Sequence, residues 1–415
     1  MRRPAPALLL LLVAVVVLPT SWAKDAPTDT HLWLEEVRGE KALAWVEAQN
    51  AITHAELEKH AAFQEIEAHT LAVLQADDRL VVGRRRGAWM YDFWRDAAHP
   101  RGIYRRTPVD PFLAGEPDWE TVLDLDALAK AEGKRWVWRG MQLRYPDFQR
   151  GLLRLSDGGS DAVVVREFDI PTKQFVEDGF ALPEAKGGMR WIDDDTVFVR
   201  TDFGEGSMTK AGYPRILKRW RRGTPLAEAE VILEGRPDAV SVEAQREHDG
   251  RTTIDWVHHS LSFYEDEKYI LDGDDLRRLD LPATARIHTC FQDRVLIEAK
   301  QPWAVGGTTY APGTVLSTTL AALKAGKPKF EVFFEPDEHA SLTYITRTKS
   351  YVLAVVMKDV RDTLWRYALR EDGTWARTPI PFEGHGTTWL SNTDVDHDTF
   401  AVTYSSFLEP STLYW

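Results

Sequence analysis

Apolar residues recur at helical spacing in one long stretch of the chain, residues 31 to 76. The stretch is otherwise rich in Glu, Lys and Ala and has few Gly or Pro residues, which weaken helices. The apolar positions are Leu34, Val37, Trp45, Val46, Ile52, Leu57, Ile66, Leu71 and Leu74. Gly39 is expected to separate a short first turn from a longer helix. We therefore predict an amino-terminal helical arm over residues 24–76.

Beyond residue 78 the pattern changes to short aromatic and β-branched runs separated by Gly, Pro, Asp and Asn. Such runs predict strands, and pairs such as Asp272-Gly273 predict tight hairpin turns, because Gly accepts a positive φ. The strands group into about seven units of roughly 45 to 50 residues, a period typical of four-stranded propeller blades. The predicted units begin near Leu80, Arg135, Gly187, Ala239, Ala285, Glu338 and Gly386. The sequence therefore predicts an all-β fold, a seven-bladed β-propeller over residues 77–415 with an incomplete last blade.

One segment interrupts the strand pattern between the first two predicted blades. Within residues 120–134, Leu123, Leu125, Leu128 and Ala131 have the spacing of a helix face. We expect this segment to be a helix that connects the two blades.

The composition excludes one class of partner. The chain has 51 basic and 64 acidic residues and a net charge of −13, whereas nucleic-acid binding requires a basic surface. We therefore expect no nucleic-acid partner. The local basic cluster Arg84-Arg85-Arg86 is expected to lie at a solvated strand end in preference to an anion site.

The first residues have the pattern of a secretory signal peptide. Met1-Arg-Arg3 is a basic start, residues 8–18 are an apolar run, and Ser21-Trp-Ala23 has small residues before a cleavage site. The run is shorter than the about 20 residues that a membrane-spanning helix needs. We expect cleavage after Ala23, export to a bacterial periplasm and no stable membrane insertion, with a retained anchor as the alternative.

Four motifs, at residues 31–36, 94–101, 201–215 and 405–414, are spread over nearly all of the mature chain, and they resemble the prolyl oligopeptidase family of serine peptidases. Thr201-Asp-Phe-Gly-Glu-Gly-Ser-Met-Thr-Lys-Ala-Gly-Tyr-Pro-Arg215 is similar to a block of the family's non-catalytic propeller. His31-Leu-Trp-Leu-Glu-Glu36 resembles the family's amino-terminal opening, and Trp94-Arg-Asp-Ala-Ala-His-Pro-Arg101 resembles its first blade. Ser405-Ser-Phe-Leu-Glu-Pro-Ser-Thr-Leu-Tyr414 resembles its last blade.

The resemblance implies a propeller that covers a catalytic cleft and restricts access to short peptides. In the family, a Ser-Asp-His triad is carried by an α/β-hydrolase domain, which we expect to be absent from this chain. No Gly-x-Ser-x-Gly motif, which exposes a nucleophile on a sharp turn, occurs in the sequence. We therefore predict no catalytic residue and an isolated chain without activity. Because the family's arm packs partly on that domain, an exposed apolar patch is expected at Trp33, Leu34, Trp45 and Val46.

Two serines lie in Gly-containing segments that partly match catalytic or phosphate-binding motifs. Ser160, in Gly158-Gly-Ser-Asp-Ala162, is expected in a hairpin between two strands, with no helix after it. Ser207 lies in a Gly-rich loop, but the next element is a strand. A phosphate site of that type requires a helix amino terminus, so we predict a propeller loop that can line the channel mouth.

No metal or cofactor site is predicted. His258 and His259 are adjacent in a predicted strand, so their side chains should point to opposite faces. Asp394-Val-Asp-His-Asp398 begins like a calcium loop but lacks the Gly and Glu that an EF-hand requires. Cys290, the one cysteine, is expected to be a buried apolar residue in a strand.

Adjacent acids occur at Asp193-Asp-Asp195 and Asp274-Asp275. A glycosidase needs two carboxylates across a cleft, whereas neighbouring acids in a turn are typical of solvated loops, which is the interpretation preferred for these residues.

The sequence favours the gating propeller of a prolyl oligopeptidase-like serine endopeptidase, with a peptide as substrate by resemblance. Three hypotheses stay open. The chain is a truncated product or gene-model fragment of a serine peptidase and inactive alone, or a separate hydrolase chain docks on it, or it is an independent scaffold that binds proteins or peptides in the periplasm.

Overall fold

The computed structural model describes residues 29–382 and 386–415. The predicted signal peptide, residues 1–23, lies outside the described residues. Contacts divide the chain into two compact units, one ending at Val73 and the other running from Leu74 to Trp415.

The first unit is helical. A short 3₁₀ turn, Leu32–Glu35, is followed by the helices Glu40–Leu57 and Ala61–Leu74. Gly39 is the residue before the first long helix, as predicted, and has extended backbone angles. None of the helices in the described part of the chain has the length and apolar character needed to cross a membrane.

The second unit is a seven-bladed β-propeller built from seven antiparallel sheets. The first strands of the blades are Arg84–Arg86, Trp136–Leu143, Gly188–Trp191, Ser241–His248, Arg286–Phe291, Ala340–Arg347 and Thr387–Ser391. The second strands are Trp89–Trp94, Arg150–Asp157, Thr196–Arg200, Thr253–Ser260, Arg294–Glu298, Val352–Lys358 and Ala401–Ser405. The third strands are Ile103–Pro108, Val163–Asp169, Ile216–Arg221, Asp266–Asp272, Val315–Thr319, Arg361–Leu369 and Thr412–Tyr414. The fourth strands, in blades one to six, are Glu120–Asp124, Gln174–Phe175, Glu230–Glu234, Asp275–Arg278, Glu331–Phe334 and Trp375–Ile380. The seventh blade has three strands among the described residues, so the prediction of an incomplete last blade is confirmed.

A few elements lie outside this repeat. Ala181–Ala185 adds a strand to blade two, and Trp303–Val305 pairs with Thr308–Tyr310 as a hairpin inserted in blade five. Short helices are Val109–Leu113, Leu125–Glu132, Leu320–Lys324 and the 3₁₀ turn Leu226–Glu228.

The prediction of one helix over residues 120–134 is half wrong. The first five residues, Glu120–Asp124, form the outer strand of blade one, and the helix begins at Leu125. Asp124 marks the change, because its carboxylate accepts a hydrogen bond from the Ala127 N–H and caps the helix. Pairing with the third strand of blade one outweighs the helical spacing of the leucines.

The apolar core lies between adjacent blades, where neighbouring sheets pack face to face. Between blades five and six, for example, Phe291, Leu296 and Phe333 pack against Val352 and Tyr367. Each blade therefore depends on its neighbours, and the ring must close between the last blade and the first.

Side chains close the ring between blades seven and one. The Asn392 side-chain oxygen accepts a hydrogen bond of 2.7 Å from the Arg85 N–H, and its amide nitrogen lies 3.4 Å from the carbonyl oxygens of Val82 and Gly83. The Arg85 guanidinium also donates to the Thr399 hydroxyl at 3.0 Å. No strand of the described chain is shared between the two blades.

Candidate functional site: the two mouths of the propeller channel

The strand order defines two faces of the propeller. Because neighbouring strands are antiparallel, the connections between first and second strands lie on one face, called here the distal face. The connections between second and third strands lie on the opposite, proximal face, where each first strand also begins. The first strands surround the central channel of a propeller, so each face has a channel mouth.

Side chains from three blades meet across the channel at the distal mouth. The Tyr145 hydroxyl of blade two donates a hydrogen bond of 3.0 Å to the Asp396 carboxylate of blade seven. The Tyr145 ring lies against the His248 ring of blade four, with 4.6 Å between ring centroids. Since these blades are not neighbours in the ring, the contacts bridge the channel.

A partly buried carboxylate supports this cluster. Glu247 of blade four forms an ion pair of 3.1 Å with Arg347 of blade six, and Arg347 also donates to the His248 carbonyl. Glu247 further accepts hydrogen bonds from the Thr289 hydroxyl at 2.6 Å and from the Cys290 N–H at 3.0 Å. Blades four, five and six are thus joined at the distal mouth.

The electrostatics of the distal mouth fix the protonation states. Burial and the hydrogen bond to Asp396 raise the pKa of the Tyr145 hydroxyl to about 12, so it is a proton donor at neutral pH. Burial lowers the pKa of the His248 imidazole, and the nearby Arg246 charge lowers it further. A neutral His248 beside two arginines avoids repulsion between like charges.

The proximal face differs, because its connections expose large apolar side chains. Phe263 and Tyr264, between the second and third strands of blade four, are 91% and 87% exposed. Phe407 and Leu408, at the same place in blade seven, are 106% and 95% exposed. Exposed large apolar side chains on one face are candidates for an interaction surface.

Val360 has the same placement in blade six and an unfavourable backbone. It lies between the second and third strands, is 89% exposed, and has a φ of 63°. A β-branched residue in the left-handed region is an outlier. Its side chain is held in solvent at a conformational cost.

The segment Thr201–Arg215, which carries the resemblance, is the corresponding connection of blade three. Ser207 is buried within it, and its hydroxyl lies 2.6 Å from the Gly204 carbonyl oxygen and 3.0 Å from the Asp202 carboxylate. The hydroxyl also accepts a hydrogen bond of 2.9 Å from the Phe203 N–H. Ser207 therefore stabilises a propeller loop, as predicted.

The other candidate residues from the sequence also make contacts that are typical of structural residues. Ser160 lies between the second and third strands of blade two, and its hydroxyl contacts the Ala162 carbonyl. Cys290 is buried in the first strand of blade five, where burial raises the pKa of its thiol. His258 and His259 point to opposite faces, toward Asp266 at 2.7 Å and Glu267 at 3.0 Å.

The predicted acidic clusters lie in turns, except that Asp275 begins the fourth strand of blade four. Asp194 and Asp195 form ion pairs with Arg144 and Arg222, and Asp274 and Asp275 with Arg219 and Arg277. Within the Asp394–Asp398 segment, the Asp394 carboxylate accepts from the N–H groups of Asp396 and His397, whereas Asp398 accepts from Thr348 and Ser350. Among the described residues, no three His, Cys, Asp or Glu side chains are arranged to hold a metal ion.

The prediction of a solvated strand end at Arg84-Arg85-Arg86 fits Arg84, which is exposed, but not the two arginines that follow it. These residues form the whole first strand of blade one, and Arg85 and Arg86 are half-buried. Burial lowers the pKa of the Arg86 guanidinium. All three residues pair in register with the second strand of blade one.

Sequence reasoning missed the distal cluster. Tyr145 and Asp396 are 251 positions apart, and no local pattern connects them. In the sequence, Asp396 is notable only as part of the calcium-like motif Asp394–Asp398. Nothing in that motif indicates that its carboxylate joins two blades.

The comparison with protein families agrees with the fold. The model of the prolyl oligopeptidase N-terminal β-propeller domain matches residues 20–415. The chain therefore belongs to this family.

Two curated relatives are similar to this chain. An uncharacterized peptidase from Sinorhizobium fredii is 35% identical over 100% of this chain and 58% of its own length. An uncharacterized peptidase from Rickettsia prowazekii is 24% identical over 94% of this chain and 56% of its own length. The chain thus spans less than two thirds of the curated relatives it matches.

Solved structures show the same fold. A post-proline cleaving enzyme from Rickettsia typhi has a TM-score of 0.86 and 24% identity over 92% of this chain and 58% of its own. Oligopeptidase B from Trypanosoma brucei, with covalently bound antipain in a closed form, has a TM-score of 0.69 and 18% identity over 93% of this chain and 54% of its own.

Proposed function

We propose that this chain is the gating propeller of a prolyl oligopeptidase-like serine endopeptidase. Its proximal face docks on an α/β-hydrolase domain, carried on the same polypeptide or on another, and the propeller limits access to short peptides. The propeller supplies the access path, and the hydrolase domain supplies the nucleophile.

The main support for this proposal is a difference between the two faces of the propeller. The proximal face exposes apolar side chains, whereas polar contacts bridge the channel at the distal mouth. On the proximal face, blades four, six and seven each expose apolar side chains, and burying these side chains against a partner domain would be favourable by about 25 cal/mol per Å². Phe263, Phe407 and Leu408 come from blades four and seven, so a partner that covers them spans the channel.

The distal mouth supports the same arrangement. The Tyr145, His248 and Asp396 contacts bridge the channel there. A peptide therefore reaches the channel from the proximal side, between the propeller and the hydrolase domain, and the channel interior limits its size.

The helical unit adds a second apolar surface. Trp45 and Val46 are 43% and 41% exposed, whereas Trp33 and Leu34 are half-buried. Trp33 packs edge-on against Trp45 with 6.3 Å between centroids. The patch expected at these four residues is thus exposed at two of them, and we assign it to the same hydrolase partner.

A hybrid enzyme tests this function. The chain would be joined to the portion of the Sinorhizobium fredii peptidase that it does not match, and cleavage of a short proline-containing peptide would be compared with cleavage of an unfolded protein. Cleavage of the short peptide alone supports the proposal. Equal cleavage of both substrates by an intact hybrid contradicts a gating role, and an inactive hybrid whose two parts do not associate contradicts docking.

A further inference from the structure

Arginines line one cavity of the propeller. The cavity has a volume of about 220 Å³ and lies between blades two and three, with Arg139, Arg154, Arg190 and Arg200 in its wall. Such a concentration of positive charge is unexpected in a chain with a net charge of −13.

The strands place these four side chains together. Arg139 and Arg190 lie on the first strands of blades two and three, and Arg154 and Arg200 lie on the second strands of the same blades. The first strand of blade two has a bulge between Trp138 and Met141. Bulges re-aim side chains and are frequent at functional sites.

Glycines leave room in front of the guanidinium groups. Gly140, Gly187 and Gly188 all line the cavity. Gly140, within the bulge, has a φ of 103° and open space where a Cβ would stand. A Cβ on Gly188 would lie 4.0 Å from Arg154 Nε. A side chain larger than a methyl group there would fill the space beside Arg154.

The positive charge is only partly compensated. Arg200 forms an ion pair of 2.7 Å with Glu243. Arg139 donates to the carbonyl oxygens of Gly159 and Ser160, which carry no net charge. Arg154 Nε is buried with no hydrogen-bond partner among the described residues.

The wall of the cavity contains no acidic side chain from the described residues. Burial lowers the pKa of the Arg154 guanidinium, and the charges of Arg190, Arg200 and Arg139 lower it further. Burial likewise lowers the pKa of Arg200, against the pull of Glu243. An anion in the cavity would relieve this repulsion and satisfy a buried donor.

We propose that Arg139, Arg154, Arg190 and Arg200 form an oxyanion site that binds a carboxylate group of a peptide in the channel. Guanidinium groups bind carboxylates and phosphates with paired hydrogen bonds, so free inorganic phosphate is the other source of the same chemistry. The inference rests on the proposed function and specifies its substrate class: short peptides with a terminal or side-chain carboxylate within the channel.

Direct binding to the purified chain tests the inference without any catalytic step. Isothermal titration calorimetry would compare an acetylated Ala-Ala-Pro-Ala peptide bearing a free terminal carboxylate with its carboxamide, and would repeat the titration with inorganic phosphate. We expect the carboxylate peptide to bind about tenfold or more tightly than the carboxamide, since a hydrogen bond to a charged group is worth that factor.

Two variants are expected to change carboxylate binding in opposite directions. A general loss of folding would weaken binding in both, so it cannot produce this pattern. Arg190→Gln, at an exposed position of the wall, should reduce carboxylate binding about tenfold. Glu243→Gln removes the carboxylate that competes for Arg200 and should increase binding. Arg221→Gln, an exposed arginine in the third strand of blade three, is the matched control and should leave binding unchanged.

Three results would overturn the inference. They are equal affinities for the carboxylate peptide and its carboxamide, equal losses in Arg190→Gln and Arg221→Gln, and binding of phosphate without binding of either peptide. The last result would assign the site to a free oxyanion. Because titration requires no hydrolase, each of these results is distinguishable from an inactive hybrid enzyme.

Discussion

The Tyr145 hydroxyl donates a hydrogen bond to the Asp396 carboxylate, joining blade two to blade seven across the channel at 3.0 Å. The two residues are not in neighbouring blades, so the bond resists widening of the distal mouth. In a ring held together mainly by packing between adjacent blades, such a bond restricts motions that separate blade two from blade seven.

Removing this bond should loosen the distal mouth. Tyr145→Phe keeps the ring against His248 but loses the hydrogen bond, and we expect unfolding stability to fall by about 1 kcal/mol. Hydrogen exchange of the amides in residues 392–398 should become faster. Tyr213→Phe, at an exposed tyrosine of the proximal face, is the control. The same change in both variants would show that the bond has no special role.

Asn392 should be required for closure of the ring. Asn392→Gly removes the side chain without backbone strain, because Gly accepts the φ of 56° found at this position. The loss of bonds to Arg85, Val82 and Gly83 should cost about 1 to 3 kcal/mol. Denaturant unfolding measures the cost, and hydrogen exchange should rise in the first strands of blades one and seven.

Thr399→Ala provides the comparison for Asn392. It removes only the exposed bond to the Arg85 side chain, so a smaller effect is expected. If Asn392→Gly leaves both stability and exchange unchanged, packing alone closes the ring.

The backbone conformation of Val360 should lower the stability of the folded chain. Val360→Gly relieves a left-handed conformation that costs a side-chain-bearing residue roughly 1 to 2 kcal/mol, and the exposed side chain loses little packing. We expect the melting temperature of the isolated chain to rise. Val231→Gly, at an exposed strand position, should lower it instead. A destabilised Val360→Gly variant would mean that the side chain packs against the propeller.

A buried pair in blade five should make the chain sensitive to acid. Glu298 lies 3.0 Å from His288 and 2.7 Å from Lys300, and these partners, acting against the effect of burial, lower the pKa of its carboxyl to about 2. A lowered pKa stabilises the fold above the unfolded value of about 4.5, and this stabilisation is lost as pH falls toward 2. The shift corresponds to about 3 kcal/mol.

Glu298→Gln tests the acid dependence. Its unfolding free energy should be lower at pH 7 and should change less between pH 4.5 and pH 2 than that of the unchanged protein. Glu371→Gln, at an exposed turn, should retain the original profile. Parallel profiles for the unchanged protein and Glu298→Gln would contradict the assignment.

Local patterns, together with the family resemblance, predicted the blades. The seven predicted starting points lie within four residues of the observed first strands, for example Arg135 against Trp136 and Ala285 against Arg286. Alternating strands and Asp-Gly turns are local signals, and the resemblance supported the count. At residues 120–134 the local signal was misleading, because sheet pairing with blade one determined where the strand ended.

The channel could not be predicted in the same way. Whether Arg139, Arg154, Arg190 and Arg200 line one cavity depends on the register within two blades and on how those blades pack. The distal contact between Tyr145 and Asp396 depends on closure of the whole ring. Arginines in strands that are otherwise apolar were a weak local signal, and an alignment of the repeats to one another could have revealed it.

Docking of a hydrolase domain on the proximal face is the central claim, and a hydrogen-exchange footprint tests it most directly. The chain would be compared alone and with the unmatched portion of the Sinorhizobium fredii peptidase. We predict protection at residues 261–265, 359–360 and 406–410, and no protection at the distal residues 144–149 and 392–398. Protection confined to the distal residues, or no protection at either face, would contradict the claim.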